Sequence, residues 1–303
     1  MKAFVKSLFL FGFLVILILI VIACAIDISG WSDWAYRRLR SSGEKSLIIG
    51  TSHANQGVHP DIIDKELSGY GYSYPIFNFA FSANNSPYGE VYFNAIREKL
   101  SNEDYHDGLF ILAVDPWALS LGKADEQHYR EQDGILVKSK PYICPNILYL
   151  WNYCRPIIPI ILPDNRVVLR DNGWVEVSVP PIDSDSARKR LGPHKEGWAI
   201  SIGKKSEYRL RWLSKTISFL KQKGTVFLVW IPTSPIVREI DNSIWPEFEQ
   251  DMTTLSKKFD IDFISFKCGK YRTTDGFHLH KDAGAIFTKD MCDSIKTRID
   301  KKN

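Results

Sequence analysis

The chain has 303 residues, of which 45% are hydrophobic, 13% aromatic and 24% charged, so it is long enough to bury a sizeable core. This composition excludes a disordered or low-complexity chain. The formal charge of +4 is small for the length and is not gathered into a basic run, so nucleic acid is not an implied partner.

Lys2 and Lys6 precede an uncharged apolar run at 7–26 that ends at Asp27. About 20 such residues cross a bilayer as a helix. A buried soluble helix of that length would show a polar face, and this one has none. An uncleaved signal anchor and a secretory signal peptide both fit, and the length of the run favours the anchor. A lipoprotein signal is a third reading, since Val21-Ile22-Ala23-Cys24 is similar to a lipobox without its favoured leucine. Positive charge is nearly balanced across the run, with Lys2 and Lys6 before it and Arg37, Arg38 and Arg40 after it, diluted by Asp27 and Asp33. Trp31, Trp34 and Tyr36 suit an interfacial belt on the far side. The chain thus divides into a transmembrane anchor (1–26), a juxtamembrane linker (27–45) and a body (46–300).

In the body, Ser46-Leu47-Ile48-Ile49 is a short apolar run that stops at Gly50, as a buried parallel strand does. Runs at 76–81, 109–114, 226–231 and 261–266 supply four more strands. Helices are predicted from His59-Pro60-Asp61 to Leu67, from Ser86-Pro87 to Leu100, and through Leu210, Leu213, Ile217 and Leu220 up to Gly224. Another begins at Trp245-Pro246 and ends near Phe259, and the last carries Ala283, Phe287, Met291 and Ile295 on one face. Five strands alternating with helices predict an α/β three-layer sandwich with a mainly parallel five-stranded sheet.

At about 117–205 the rhythm breaks, which predicts an inserted irregular subdomain over the edge or top of the sheet. Within it, Asp171-Asn172-Gly173 marks a hairpin between Val167-Val168-Leu169-Arg170 and Trp174-Val175-Glu176-Val177. Trp174, Trp198 and Tyr129 either line a sugar-binding groove or form the core of that subdomain. Cys144, Cys154, Cys268 and Cys292 form either two bridges in an oxidising compartment or isolated buried thiols. Their spacing gives no zinc site, and no cofactor is implied.

Two short segments carry chemistry. Gly50-Thr51-Ser52-His53 follows the first strand directly, so a sharp turn presents Ser52 at the sheet's C-terminal edge with its own N–H aimed at a developing oxyanion. Taken alone, such a serine reads as a helix cap. Asp275-Gly276-Phe277-His278-Leu279-His280 precedes the last helix, and an Asp and a His three apart on a loop can point the same way. The carboxylate then holds the imidazole's tautomer while the imidazole serves the serine, whose hydroxyl is a poor nucleophile unaided. The competing readings are a capped turn and a metal site on His278 and His280, and the latter lacks clustered carboxylates.

Together these segments resemble the SGNH (GDSL-like) hydrolase superfamily over roughly 46–295. Gly50-Thr51-Ser52-His53 is similar to its first block, and Asp275-x-x-His278, followed by Leu279 and Gly284, to its last. The resemblance implies Ser52 as nucleophile, His278 as general base and Asp275 as its orienting partner. It implies an oxyanion hole from the Ser52 N–H, the Ala80 N–H and a side chain such as Asn84 or Asn85. Asp115-Pro116-Trp117 stands where the family has an asparagine, and a carboxylate there repels an oxyanion. Asp115, Trp117 and Trp174 are candidates for a substrate groove. The N-terminal anchor makes the chain similar to membrane-anchored cell-envelope acyl-transfer proteins, such as those of teichoic acid D-alanyl transfer and alginate O-acetylation. Ile231-Pro232-Thr233-Ser234-Pro235 also resembles a segment of such proteins. That setting implies a body outside the cytoplasm, a glycan or acyl-ester substrate and a membrane-bound O-acyltransferase as partner. The expected function is a serine esterase or O-acyltransferase. The alternative is a noncatalytic partner of the same fold that binds polysaccharide or the acyltransferase.

Overall fold

The computed structural model describes residues 2–29, 38–39, 42–83, 86–121 and 166–301. Asn84, Asn85, Tyr129, Cys144 and Cys154, the Trp31, Trp34 and Tyr36 belt, and the insertion at 122–165 lie outside the described residues. The chain divides into two units, Met1–Ser41 with Lys138–Asp164, and Ser42–Val137 with Asn165–Asn303. In the first unit, α1 (Lys2–Ser29) is a helix whose Phe, Leu, Ile and Val side chains are largely exposed. Lys2–Ala25 is long and apolar enough to cross a membrane.

The second unit is built on a five-stranded sheet of order β2-β1-β3-β8-β9, parallel throughout. Its strands are β1 (Ser46–Ile49), β2 (Ile76–Asn78), β3 (Gly108–Ala113), β8 (Gly224–Trp230) and β9 (Asp262–Ser265). Helices α2 (Ser52–Gly57) and α3 (Pro60–Glu66) lead from β1 to β2, and α4 (Glu90–Lys99) leads from β2 to β3. Asp115 caps a single turn, α5 (Pro116–Leu119), by accepting the Ala118 N–H at 2.8 Å. Between β3 and β8 come β4 (Ser120–Leu121), β5 (Val167–Leu169), β6 (Val175–Val177), α6 (Ser184–Leu191), α7 (Lys195–Ile202), β7 (Lys204–Lys205) and α8 (Glu207–Leu220). Helices α9 (Pro235–Ile244) and α10 (Phe248–Phe259) precede β9, and α11 (Lys281–Asp300) closes the chain.

The layers follow from alternation along the strands. Ile48, Ile111, Phe227, Val229 and Ile264 pack into one cluster with Ile63 and Leu67 and with Phe287, Met291 and Ile295 of α11. Each such fully buried side chain contributes about 1.5–3 kcal/mol. Close approach of α11 to α2 depends on small residues: a Cβ on Gly284 would lie 2.9 Å from the Gly57 carbonyl oxygen. Leu279 fills the space beside Gly57. Packing thus brings the start of the sheet unit against its last helix.

The predicted hairpin forms with Leu169 opposite Val175 and Val167 opposite Val177. It docks on the sheet edge, where Asn78 N–H donates to the Asn172 carbonyl at 2.8 Å. Gly173 has φ +82°, and a Cβ there would sit 2.2 Å from the Asn78 oxygen. Cys268 and Cys292 are free thiols, so a bridge between these two does not form. Burial pushes the Cys292 thiol up to about 12.

Candidate active site

The strand order reverses between β1 and β3, and the crevice beyond their C-terminal ends is where doubly wound sheets hold ligands. Both neighbouring loops feed it. Gly50 makes the turn out of β1, and a Cβ there would lie 2.7 Å from the Ala113 Cβ of the adjacent strand, so only glycine fits. The next residues, Thr51, Ser52 and His53, line a cavity of about 790 Å³.

Ser52 Oγ lies 2.8 Å from His278 Nε2, and His278 Nδ1 lies 2.8 Å from Asp275 Oδ2. The other Asp275 oxygen accepts the backbone N–H groups of Phe277 and His278, each at 2.9 Å. Burial raises the Asp275 pKa, but these hydrogen bonds and the His278 ring outweigh it and hold the carboxyl well below its usual value. An ionised carboxylate only accepts, so Nδ1 carries the proton and Nε2 is left to accept from the Ser52 hydroxyl. The loop is fixed from both sides. Thr273 and Leu279 bridge across its neck. Gly276, at φ +100°, accepts the Ser234 N–H at 3.0 Å. The Ile231–Pro235 segment therefore braces the Asp275–His278 loop from the end of β8.

Asp115 does not face the cavity as a substrate group. It is buried at the end of β3, where Oδ2 accepts the Thr51 hydroxyl at 3.0 Å and lies 3.3 Å from His53 Nδ1. Desolvation opposes both charges of this pair, yet the mutual contact lowers the Asp115 pKa and raises that of His53. Asp241 of α9 lies behind them and accepts Trp117 Nε1–H at 2.9 Å. Burial, with the nearby Asp115 charge, pushes the Asp241 carboxyl up to about 7.

Of the other sequence candidates, Trp117 lines the cavity and packs edge-on against Phe277. Trp174 does not line it; its ring lies 4.0 Å from that of His59 and its Nε1–H donates to the Gln56 carbonyl. The Ala80 N–H donates to Asn78 Oδ1 at 3.1 Å. The Ser52 N–H has no acceptor among the described residues, as befits the first turn of α2. The far wall comes from 190–198, with Arg190, Leu191, His194 and Trp198. Of that wall, sequence reasoning named only Trp198, as a groove candidate; it passed over Arg190, Leu191 and His194, and it gave His53 no role although His53 adjoins Ser52.

No protein-family model, curated protein or solved structure matches the chain. Fold and site thus define the class: an α/β protein with a doubly wound parallel sheet and a hydrogen-bonded Ser–His–Asp chain at its C-terminal edge.

Proposed function

We propose that this protein is a membrane-anchored SGNH-type serine esterase or O-acyltransferase that works through an acyl-Ser52 intermediate. The observation that carries the reading is the Ser52–His278–Asp275 chain, with both links at 2.8 Å, opening on a cavity large enough for an acyl ester. His278 Nε2 takes the hydroxyl proton as Ser52 Oγ attacks the acyl carbon, and a tetrahedral oxyanion forms. Its collapse expels the alcohol, which leaves with the proton from His278, and acyl-Ser52 remains. Water or a glycan hydroxyl then gives its proton to His278 as it attacks the acyl carbon, and on collapse of this second adduct His278 returns the proton to the departing Ser52 Oγ. The long apolar helix and the SGNH resemblance favour an extracytoplasmic body, a cell-envelope or exported polysaccharide as acceptor and a membrane-bound O-acyltransferase as partner.

A second reading is a noncatalytic SGNH-fold partner that binds polysaccharide or that acyltransferase. It is favoured by the two missing oxyanion donors: Asp115 stands in place of asparagine, and the Ala80 N–H is already bonded. A fluorophosphonate serine-hydrolase probe separates the two. The full-length wild type should label, with labelling lost in Ser52→Ala and reduced at least 100-fold in His278→Ala. A folded wild type that does not label would move the assignment to the binding partner.

A further inference from the structure

We propose that His53 is the side-chain donor that binds the oxyanion formed at Ser52, with Asp115 as its positioning residue; the proposal rests on the acyl-transfer reading above. The geometry is local. His53 follows Ser52 in the chain, its ring centroid lies 5.6 Å from that of His278, and both imidazoles line the same cavity as Ser52. Nδ1 of His53 is engaged by Asp115, itself held by the Thr51 hydroxyl and the Ala118 N–H. The ring therefore has one orientation before any substrate arrives, which is what electrostatic preorganisation requires.

Its free edge is the one that matters. Nε2 of His53 has no partner among the described residues, yet it is not sealed from solvent as Nε2 of His59 is, so it opens into the cavity. Burial lowers the His53 pKa, but Asp115, with the Asp241 and Asp275 charges, raises it on balance, which favours the imidazolium, and an imidazolium carries an N–H on both nitrogens. In that form Nε2 is a charged N–H donor on the cavity that lacks the asparagine donor. A buried ion pair is seldom worth its desolvation as a stabilising device. One placed a single residue from a nucleophile is better explained by the charge it presents there. The purely structural account, in which His53 only neutralises the Asp115 cap, makes a different prediction.

The test uses the full-length protein in detergent micelles with p-nitrophenyl acetate as probe, following kcat, KM and thermal melting. His53→Ala should lower kcat about 10²–10³-fold with KM changed only a few-fold. His53→Gln, which retains a donor, should recover part of that loss. Because His53→Ala strands a buried carboxylate, the double variant His53→Ala/Asp115→Ser is measured as well; serine still caps α5 and, unlike asparagine, does not supply the family's missing donor. It should melt near the wild type and keep the kcat defect. A double variant that melts normally and turns over like the wild type would overturn the proposal, as would a defect confined to KM. A wild type with neither Ser52-dependent turnover nor fluorophosphonate labelling would overturn both readings; labelling with unchanged variants would overturn this one alone.

Discussion

Behind Ser52 and His278 sit three ionisable groups taken out of water: Asp115, His53 and Asp241. The first two neutralise one another, whereas Asp241 Oδ2 has no hydrogen-bond partner among the described residues. Nearby Arg238 instead lays its guanidinium over the Trp230 ring and bonds Cys268. With its carboxyl at about 7 in the folded chain and an ordinary value of 3.8, Asp241 holds a proton that the unfolded chain has released between these limits. The folded state then binds more protons, so stability falls as pH rises from about 4 to 7 and stays low above that. Asp241→Asn removes the fall. Its melting temperature should exceed that of the wild type by on the order of 5 °C at pH 8, the gain shrinking toward zero near pH 4. Parallel melting curves across that range would mean that Asp241 is ionised throughout. Sequence spacing could reveal Ser52, Asp275 and His278, because a strand end and a three-residue interval are local patterns. The His53–Asp115 pair could not be read that way. It exists only because β1 and β3 are neighbours, with Ile49 opposite Leu112.

Among the elements, α11 and α2 are the pair on which the site depends, since one follows His278 and the other begins at Ser52. Gly284→Ala places a methyl group 2.9 Å from both the Gly57 oxygen and His59 Nε2, in a packed and inflexible spot. We expect a loss of about 1–3 kcal/mol in urea unfolding and slower probe labelling as His278 moves away from Ser52. Gly197→Ala on α7 meets nothing within 4 Å and should be neutral or slightly stabilising. Equal effects from the two would show that close helix packing is not what Gly284 provides. All five strands were visible as apolar runs, because a buried parallel strand needs little else. The ends shifted for particular reasons. At 76–81 the ladder ends at Asn78, although the Phe79 and Phe81 N–H groups still reach the Ile48 and Gly50 oxygens. Ser86 starts no helix because its hydroxyl bonds the Gly50 and Ser82 oxygens, and α4 begins at Glu90. Helix α9 was overlooked although Pro235 at its first turn and buried Ile236, Val237 and Ile240 announce it.

On the scale of the whole molecule, a sheet unit with a buried polar site is joined in sequence to a helix that exposes a continuous apolar surface. Such a surface is not stable in water, and a bilayer removes it at no cost in charged groups between Ser7 and Ile26. The chain should therefore stay with membranes through an alkaline carbonate wash, and mass analysis of the mature protein should find 2–26 retained. Release by the wash, or a mature chain beginning after Ala25, would replace the anchor with a cleaved signal. The sheet unit has a different dependence, on chain order. Ser52 and His278 lie 226 positions apart, and Leu279, next to His278, packs into one buried cluster with Ala54 and Val58, just after Ser52, and with Ala283 and Phe287 of α11. During synthesis the serine is thus made early and remains an ordinary alcohol until almost the last residues are in place. On the proposed mechanism, chains that stop short of α11 would carry an unarmed nucleophile, and completion of the fold would itself be the step that switches the chemistry on.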